Sequence, residues 1–310
     1  MPDTLATNLC GIPLRNPVIL AAGCAGVLDE MAGVLDLSRV GAVTTKSITR
    51  EAREGNATWR ILEAGDAGML NAIGLANPGL DAFLEHHAPR AAALACPVIA
   101  SAAGFSIDDY VAITGNLDEW ADRNIVAVEL NVSCPNVKTG TEFGMNAGTL
   151  GEVVRACRAV AKRTKLFVKL SPMAPEITLV ARAAIAAGAD ALTLTNTIPA
   201  MAIDVEARRP RLANGTGGLS GPALHPIVTR LIHEVYTKVC RETLTPIIGL
   251  GGVLRWEHAA EFVLAGATCV GMGTGLFVDP RSPLGVVRGL EKWVGRQGKQ
   301  AAGELIGAIT

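Results

Sequence analysis

Eight short aliphatic or β-branched runs alternate with helical stretches, and this alternation constrains the fold more than any other feature. The runs are Pro17–Ala21, Ala42–Lys46, Val98–Ser101, Val126–Asn131, Leu166–Leu170, Ala191–Thr195, Pro246–Gly249 and Cys269–Gly271. Most lack period-two alternation, so they read as strands buried on both faces of a parallel sheet. Thr149–Arg163 has apolar residues at helical spacing, with Glu152, Arg155, Arg158 and Lys162 on the other face. Pro175–Ala187, His225–Arg241 and Trp256–Leu264 read the same way. Glycine closes a segment just before a strand at Gly41, Gly188 and Gly266, as at a helix C-terminus. Eight such repeats predict an α/β fold, a (β/α)₈ barrel, with a doubly wound sheet as the rival.

No linker or low-complexity stretch interrupts the 310 residues, so one domain over 1–310 is expected. An apolar fraction of 49% and a net charge of −1 exclude disorder and leave no global basic field for nucleic acid. No apolar run approaches the ~20 residues of a membrane helix, and the N-terminus does not read as a signal peptide. Seven scattered cysteines, none in a Cys-x-x-Cys pair, read as reduced thiols of a cytoplasmic protein. They argue against a zinc ribbon or an iron–sulfur cluster in this chain.

Three connections are long: Ser47 to about Asp81, Val132–Asn146 and Thr197–Gly221. All leave C-terminal strand ends, where barrel enzymes place their sites, and are expected to form a lid. Lys46, Asn131, Lys169 and Asn196 lie at or near four of those ends. Each alone could be a loop cap. Together they would line one pocket for a planar, anionic, amide-rich ligand. Gly249-Leu-Gly-Gly252 and Gly271-Met-Gly-Thr-Gly275 follow the last two strands. They are either tight turns or a phosphate cradle. Cys134 follows strand-end Asn131 by three residues and is either a plain loop thiol or a proton-transfer group. The other six cysteines read as packing residues, and no histidine lies near Cys134 in sequence. Arg208, Arg209 and Arg211 form either a solvated face or a subunit contact.

The segments Met69-Leu-Asn-Ala-Ile-Gly-Leu-Ala-Asn-Pro-Gly79, Asn131-Val-Ser-Cys-Pro-Asn-Val-Lys138, Val168-Lys-Leu-Ser-Pro172, Thr195-Asn-Thr197, Gly217-Gly-Leu-Ser-Gly-Pro222, Gly249-Leu-Gly-Gly252 and Gly273-Thr274 occur in a familiar order. In this the chain resembles the dihydroorotate dehydrogenases, from about Leu9 to the last helix. The first two segments resemble the catalytic subunit of the NAD-linked class, 1B.

The resemblance implies an FMN-containing barrel that oxidises (S)-dihydroorotate to orotate in pyrimidine biosynthesis. On it, Cys134 takes the C5 proton and hydride passes from C6 to the flavin. Lys46, Asn71, Ala72, Ile73, Gly74, Leu75, Asn131, Asn196 and Thr197 would hold substrate. Ala22, Gly23, Lys46, Ser47, Ser101, Asn131, Lys169, Thr195, Gly221, Gly251, Gly252, Gly273 and Thr274 would hold FMN. Ser47, Ala22 and Gly23 would act through backbone groups, and the last five residues would cradle the phosphate. No metal is implied in this chain.

Ser101 stands where the family often has Asn, Ala22 where Ser is common, and Thr195 where an aliphatic residue is usual. The class implies a homodimer flanked by partner subunits that carry FAD, a [2Fe–2S] cluster and the NAD site. The membrane-linked class has a serine base and an N-terminal extension, neither seen here. The fumarate-linked class shares the cysteine but differs in the substrate loop. Dihydropyrimidine dehydrogenase is a rival with a similar Cys-Pro loop, and tRNA-dihydrouridine synthase would need a basic surface. A barrel that only binds a phosphorylated ligand would leave Lys46, Asn131, Cys134, Lys169 and Asn196 without a purpose.

Overall fold

The structure, a computed structural model, describes residues 4–133 and 143–309. Eight parallel strands close into a barrel: β1 (Val18–Leu20), β2 (Ala42–Thr44), β3 (Val98–Ala102), β4 (Ile125–Asn131), β5 (Lys165–Leu170), β6 (Ala191–Leu194), β7 (Ile247–Leu250) and β8 (Cys269–Met272). Each pairs with its sequence neighbour, and β8 pairs with β1. The closed ring rules out the doubly wound alternative. All eight expected strands form, with ends shifted by a residue or two.

Side-chain parity explains why these runs are almost wholly apolar. Val18, Leu20, Val43, Val98, Ala100, Val128, Leu130, Val168, Leu192, Leu194, Ile247 and Val270 belong to the cluster shared with the surrounding helices. The alternate residues Ile19, Ala42, Ile99, Ala127, Phe167, Ala191, Ile248 and Cys269 form a separate cluster inside the ring. A hairpin, Thr7–Leu9 with Ile12–Leu14, adds Leu9, Ile12 and Leu14 to that inner cluster. The N-terminal end of the barrel is thereby packed with side chains rather than open.

Helices Leu80–His86, Ile107–Asp118, Ala147–Val160, Ile177–Ala186, His225–Val235, Trp256–Ala265 and Ser282–Arg296 follow successive strands from β2 onward. Two short 3₁₀ turns, Glu30–Gly33 and Leu37–Arg39, stand after β1 where a helix was expected. Ser106 and Asp109 make a reciprocal capping box, and the Asn146 side chain accepts from the Gly148 and Thr149 N–H groups. The stretch expected to be helical from His225 to Arg241 leaves the α-helix at Val235 and widens into a π-turn, Tyr236–Cys240. Gly188 and Gly266 have the positive φ of helix termini. Gly41 does not; a Cβ there would collide with the Asn16 carbonyl, so close backbone approach explains that glycine.

The long connections after β2 and β6 are not simple loops. They meet in a four-stranded antiparallel sheet ordered Ile198–Ala200, Gly217–Ser220, Met69–Asn71 and Ile61–Glu63. Arg209–Pro210 pairs with Ile203–Asp204 further out, and Arg208, Arg209 and Arg211 are exposed there. No helix among the described residues is long and apolar enough to cross a membrane.

One buried carboxylate ties helix Ile107–Asp118 to the turn before β5. Asp118 accepts from the Lys162, Arg163 and Thr164 N–H groups and from the Thr164 hydroxyl, at 2.7–3.0 Å in the closest pairing of each. Burial opposes ionisation, but the Thr164, Arg163 and Lys162 donors outweigh it and hold the carboxyl below its usual range. This contribution is complete above the unfolded value of about 3.9 and is lost as pH falls through the lower folded value. Asp118→Ala leaves the donors unmet. It should cost about 1–3 kcal/mol in urea denaturation at neutral pH, a difference that shrinks below pH ~3.9.

Candidate active site

The parity that packs the barrel floor also builds the site above it. One step up the strands the inward positions are Ala21, Thr44, Ser101, Glu129, Lys169, Thr193, Leu250 and Gly271. One step further come Gly23, Lys46, Asn131, Ser171, Thr195, Gly252 and Gly273. The interior therefore changes from apolar to polar toward the C-terminal end. Within it Thr193 Oγ1 donates to Glu129 Oε2 at 2.6 Å. A cavity of about 770 Å³ opens at that end, within the range of cofactor and small-molecule sites.

The structure brings most of the expected residues to this cavity. Ala22, Gly23, Lys46, Ser47, Asn71 through Leu75, Asn131, Lys169, Thr195, Asn196, Thr197, Gly221, Gly251, Gly252, Gly273 and Thr274 line it. Ser101 does not reach the wall. It is fully buried, with its Oγ 2.9 Å from Ser47 Oγ, because a serine at this inward position is too short. The Ser47 side chain joins a chain of hydrogen bonds within the protein. Asn131 Nδ2 donates to Ser47 Oγ (3.2 Å), Asn196 Nδ2 to Asn131 Oδ1 (3.0 Å), and the Thr197 N–H to Asn196 Oδ1 (2.8 Å). This chain links the ends of β2, β3, β4 and β6. Asn131 and Asn196 each keep one further amide N–H uncommitted among the described hydrogen bonds. Tyr110 fixes the Asn131 carbonyl from behind, its hydroxyl donating at 2.7 Å. The Thr195 hydroxyl donates to the Asn196 carbonyl at 3.0 Å. Cys134 lies outside the described residues; Ser133, just before it, lines the cavity and has a buried Oγ with no partner among the described residues.

Two lysines dominate the electrostatics. Lys169 is only 7% exposed, and its ammonium has no hydrogen-bond or ion-pair partner among the described residues. Burial, with Lys169 and Arg60 nearby, holds the Lys46 ammonium below its usual range against an opposing pull from Cys24. Burial pushes the Cys24 thiol up, against Lys169 and Lys46. Cys24 lines the cavity and is not merely a packing residue. A buried and a half-buried cation, neither paired with a carboxylate among the described residues, call for an anionic or electron-rich ligand.

The glycines meet the needs of a phosphate group. Gly221 (φ +108°) and Gly252 (φ +70°) occupy conformations that favour glycine. A Cβ on Gly252 would lie 2.6 Å from the Gly221 carbonyl oxygen, and one on Gly251 would lie 2.6 Å from Val228 Cγ2. Thr274 Oγ1 donates to Ser220 Oγ at 2.7 Å and ties this turn to the sheet over the mouth. The cradle, the unpartnered Lys169 and the cavity size fit FMN.

Sequence reasoning missed the groups that shape the mouth. Asn77 is buried; its Oδ1 accepts from the Thr49 and Gly79 N–H groups, and its Nδ2 donates to the Thr49 hydroxyl and the Leu75 carbonyl. It staples the Asn71–Leu75 loop to the segment after β2. Asn56 Nδ2 donates to the Ala72 carbonyl, and Arg53 Nε to the Gly74 carbonyl. The Asn77-Pro-Gly79 turn signal was the available clue. No group of three or more His, Cys, Asp or Glu residues among those described is arranged to hold a metal.

The family model described as "Dihydroorotate dehydrogenase" matches residues 4–294. A relative from Trichlorobacter lovleyi named "Dihydroorotate dehydrogenase B (NAD(+)), catalytic subunit" is 43% identical over 310 residues, covering 100% of this chain and 99% of the relative. Relatives of the same name from Shouchella clausii and Parabacteroides distasonis are 42% and 44% identical over 306 residues, each covering 98% of both chains.

Gly252→Ala tests the cradle. The added Cβ strains the turn and meets the Gly221 carbonyl, so the variant should be less stable and bind FMN at least ~10-fold more weakly, as read by flavin fluorescence titration. Unchanged affinity would remove Gly252 from the site.

Proposed function

The chain belongs to the dihydroorotate dehydrogenase family, and on that premise we propose that it is the FMN-bearing catalytic subunit of an NAD-linked enzyme oxidising (S)-dihydroorotate to orotate in pyrimidine biosynthesis. The observation that carries the reading is buried Lys169 with half-buried Lys46, at a cavity beside a glycine cradle and an Asn131–Asn196 hydrogen-bond relay. An anionic substrate and a phosphorylated, electron-rich cofactor would complete this arrangement.

Gly221, Gly251, Gly252, Gly273 and Thr274 would hold the flavin phosphate. When bound, FMN supplies the acceptor for the hydride that leaves C6 of the substrate. Lys169 would place a fixed positive charge where negative charge develops, in a setting with little water to screen it. Asn71, Asn131, Asn196 and Thr197 would bind the pyrimidine amides and carboxylate, with Lys46 offsetting the substrate charge. Ala72 through Leu75 would close over the substrate, held down by Asn77. Ala22, Gly23, Ser47 and Thr195 would line the flavin face, and Ser101 would support Ser47 from below. Cys134 would take the C5 proton as general base. An ordinary thiol titrates near 8.5, so the Cys134 base would favour turnover on the alkaline side of neutrality.

The name of the relatives includes NAD(+) and a catalytic subunit, which supports a separate electron-transfer partner. We assign FAD, a [2Fe–2S] cluster and the NAD site to that partner, and a homodimer of this chain to the core of a heterotetramer. Scattered thiols and the absence of a membrane-length helix among the described residues support a cytoplasmic setting.

The test is turnover. The purified chain should pass electrons from dihydroorotate to a dye acceptor but reduce NAD⁺ only with the FAD/[2Fe–2S] partner added. Oxidation of dihydrouracil instead would contradict the substrate assignment. Cys134→Ala should retain flavin but lose at least ~100-fold in dihydroorotate turnover near neutral pH, within the usual contribution of a general base. Near-wild-type turnover would reject Cys134 as the base.

A further inference from the structure

A histidine outside the expected site stands directly behind the glycine cradle. His225 opens helix His225–Val235, four residues after Gly221, and is 7% exposed. Its Nδ1 lies 3.2 Å from the Gly251 carbonyl oxygen and its Nε2 lies 2.9 Å from Glu261 Oε2. A carbonyl and a carboxylate are both acceptors, so both ring nitrogens must donate. Imidazole does this only when protonated. The ring is held between His258, at 4.5 Å between centroids, and Phe262, at 4.6 Å.

The neighbouring histidine has the complementary proton state. His258 Nδ1 accepts the Leu254 N–H at 3.3 Å, which makes that ring neutral. Burial, then the charges of His225 and Arg255, hold His258 below its usual range against Glu261 and Glu257. These are the titratable and charged groups that the facing helix Trp256–Ala265 and its N-terminal residue present. The first turn of the His225 helix contains no acidic residue. Of the two rings, His225 is the one that faces two acceptors and touches the cradle. His225 also packs on Gly252, where an added Cβ would come within 3.0 Å of His225 Cβ and 3.1 Å of its backbone nitrogen.

We propose that His225, as the imidazolium, is the positioning residue of the phosphate cradle: it grips the Gly251 carbonyl, braces Gly252 and adds a positive charge behind the FMN phosphate. This rests on the FMN reading above. Loss of its proton would turn one ring nitrogen into an acceptor facing another acceptor. The Gly251–Gly252 turn would loosen and phosphate affinity would fall as pH rises.

The experiment measures FMN dissociation constants by fluorescence quenching on the full chain, stripped and reloaded. Wild type is compared with His225→Lys, a fixed cation, from about pH 6 to about pH 9. Taking the ratio of the two cancels titration of the phosphate itself. The wild-type constant should rise ~10-fold relative to His225→Lys across that span, as one charge-assisted hydrogen bond is lost. His225→Gln should bind FMN about tenfold more weakly at the acid end and show no such rise. Riboflavin, which lacks the phosphate, should show no rise with any variant.

A flat ratio, wild-type affinity in His225→Gln, or the same rise with riboflavin would overturn the proposal. Should His225→Gln fail to fold, Glu261→Gln serves in its place. It removes the facing carboxylate and should move the wild-type transition to lower pH, and an unmoved transition counts against the proposal. Wild type that binds no FMN at any pH would overturn both this and the functional reading. Wild type that binds FMN and is bleached by dihydroorotate, with a flat ratio, would overturn this inference alone.

Discussion

Side-chain alternation along eight parallel strands is the constraint on which the rest of the molecule depends. Once the ring closes, every second residue must fill its interior and the others must meet the helices. Near the N-terminal end the inward residues are Ile19, Ile99, Phe167, Ile248 and their neighbours, capped by Leu9 and Ile12 of the hairpin. Two residues further along, the same positions hold Thr44, Ser101, Glu129, Lys169 and Thr193, all buried. Burying so many polar groups is unfavourable unless they bond to one another or to a ligand. Glu129 and Thr193 meet each other, whereas Lys169 is left for the ligand.

That division gives the barrel a rigid floor and a chemically incomplete ceiling. The Ser101–Ser47–Asn131–Asn196–Thr197 relay ties four strand ends together, so displacing one amide disturbs the rest. Above it, Asn71 sits on a strand paired to Gly217–Ser220, and its Nδ2 donates to the Gly218 carbonyl at 3.2 Å. The Asn71–Leu75 loop and the glycine turns are joined through that sheet, because Ser220 accepts from Thr274. The pyrimidine end and the phosphate end of the proposed site thus share one framework.

The barrel was legible because its signal is local and repeated. Each strand is an unbroken aliphatic run, and Ala191–Thr195 or Val98–Ser101 needed only a residue's adjustment. The sheet over the mouth was not legible. Its strands are three or four residues long, Gly217-Gly218 carries no pattern, and the partners lie nearly 150 positions apart, as in the Asn71–Gly218 contact. Lys46, Asn131, Lys169 and Asn196 stood out as polar residues interrupting apolar runs. Ser101 was assigned to the flavin by position, but depth inside the barrel decides reach, and serine stops at Ser47. Cys24 looked like another packing thiol until the fold brought it beside Gly273. His225 was read only as the first residue of a helical stretch, since neither Gly251 nor Glu261 is near it in sequence. The glycine at 221, four residues before it, was the only local hint.

We infer that the polar end of this barrel holds FMN and delivers dihydroorotate to it. An anaerobic absorbance titration of the purified chain with dihydroorotate tests that claim most directly. The protein should be yellow and should bleach in proportion to added dihydroorotate, reaching completion near one equivalent per chain. A yellow protein that dihydroorotate leaves unchanged, or a colourless one that FMN cannot reconstitute, would contradict it.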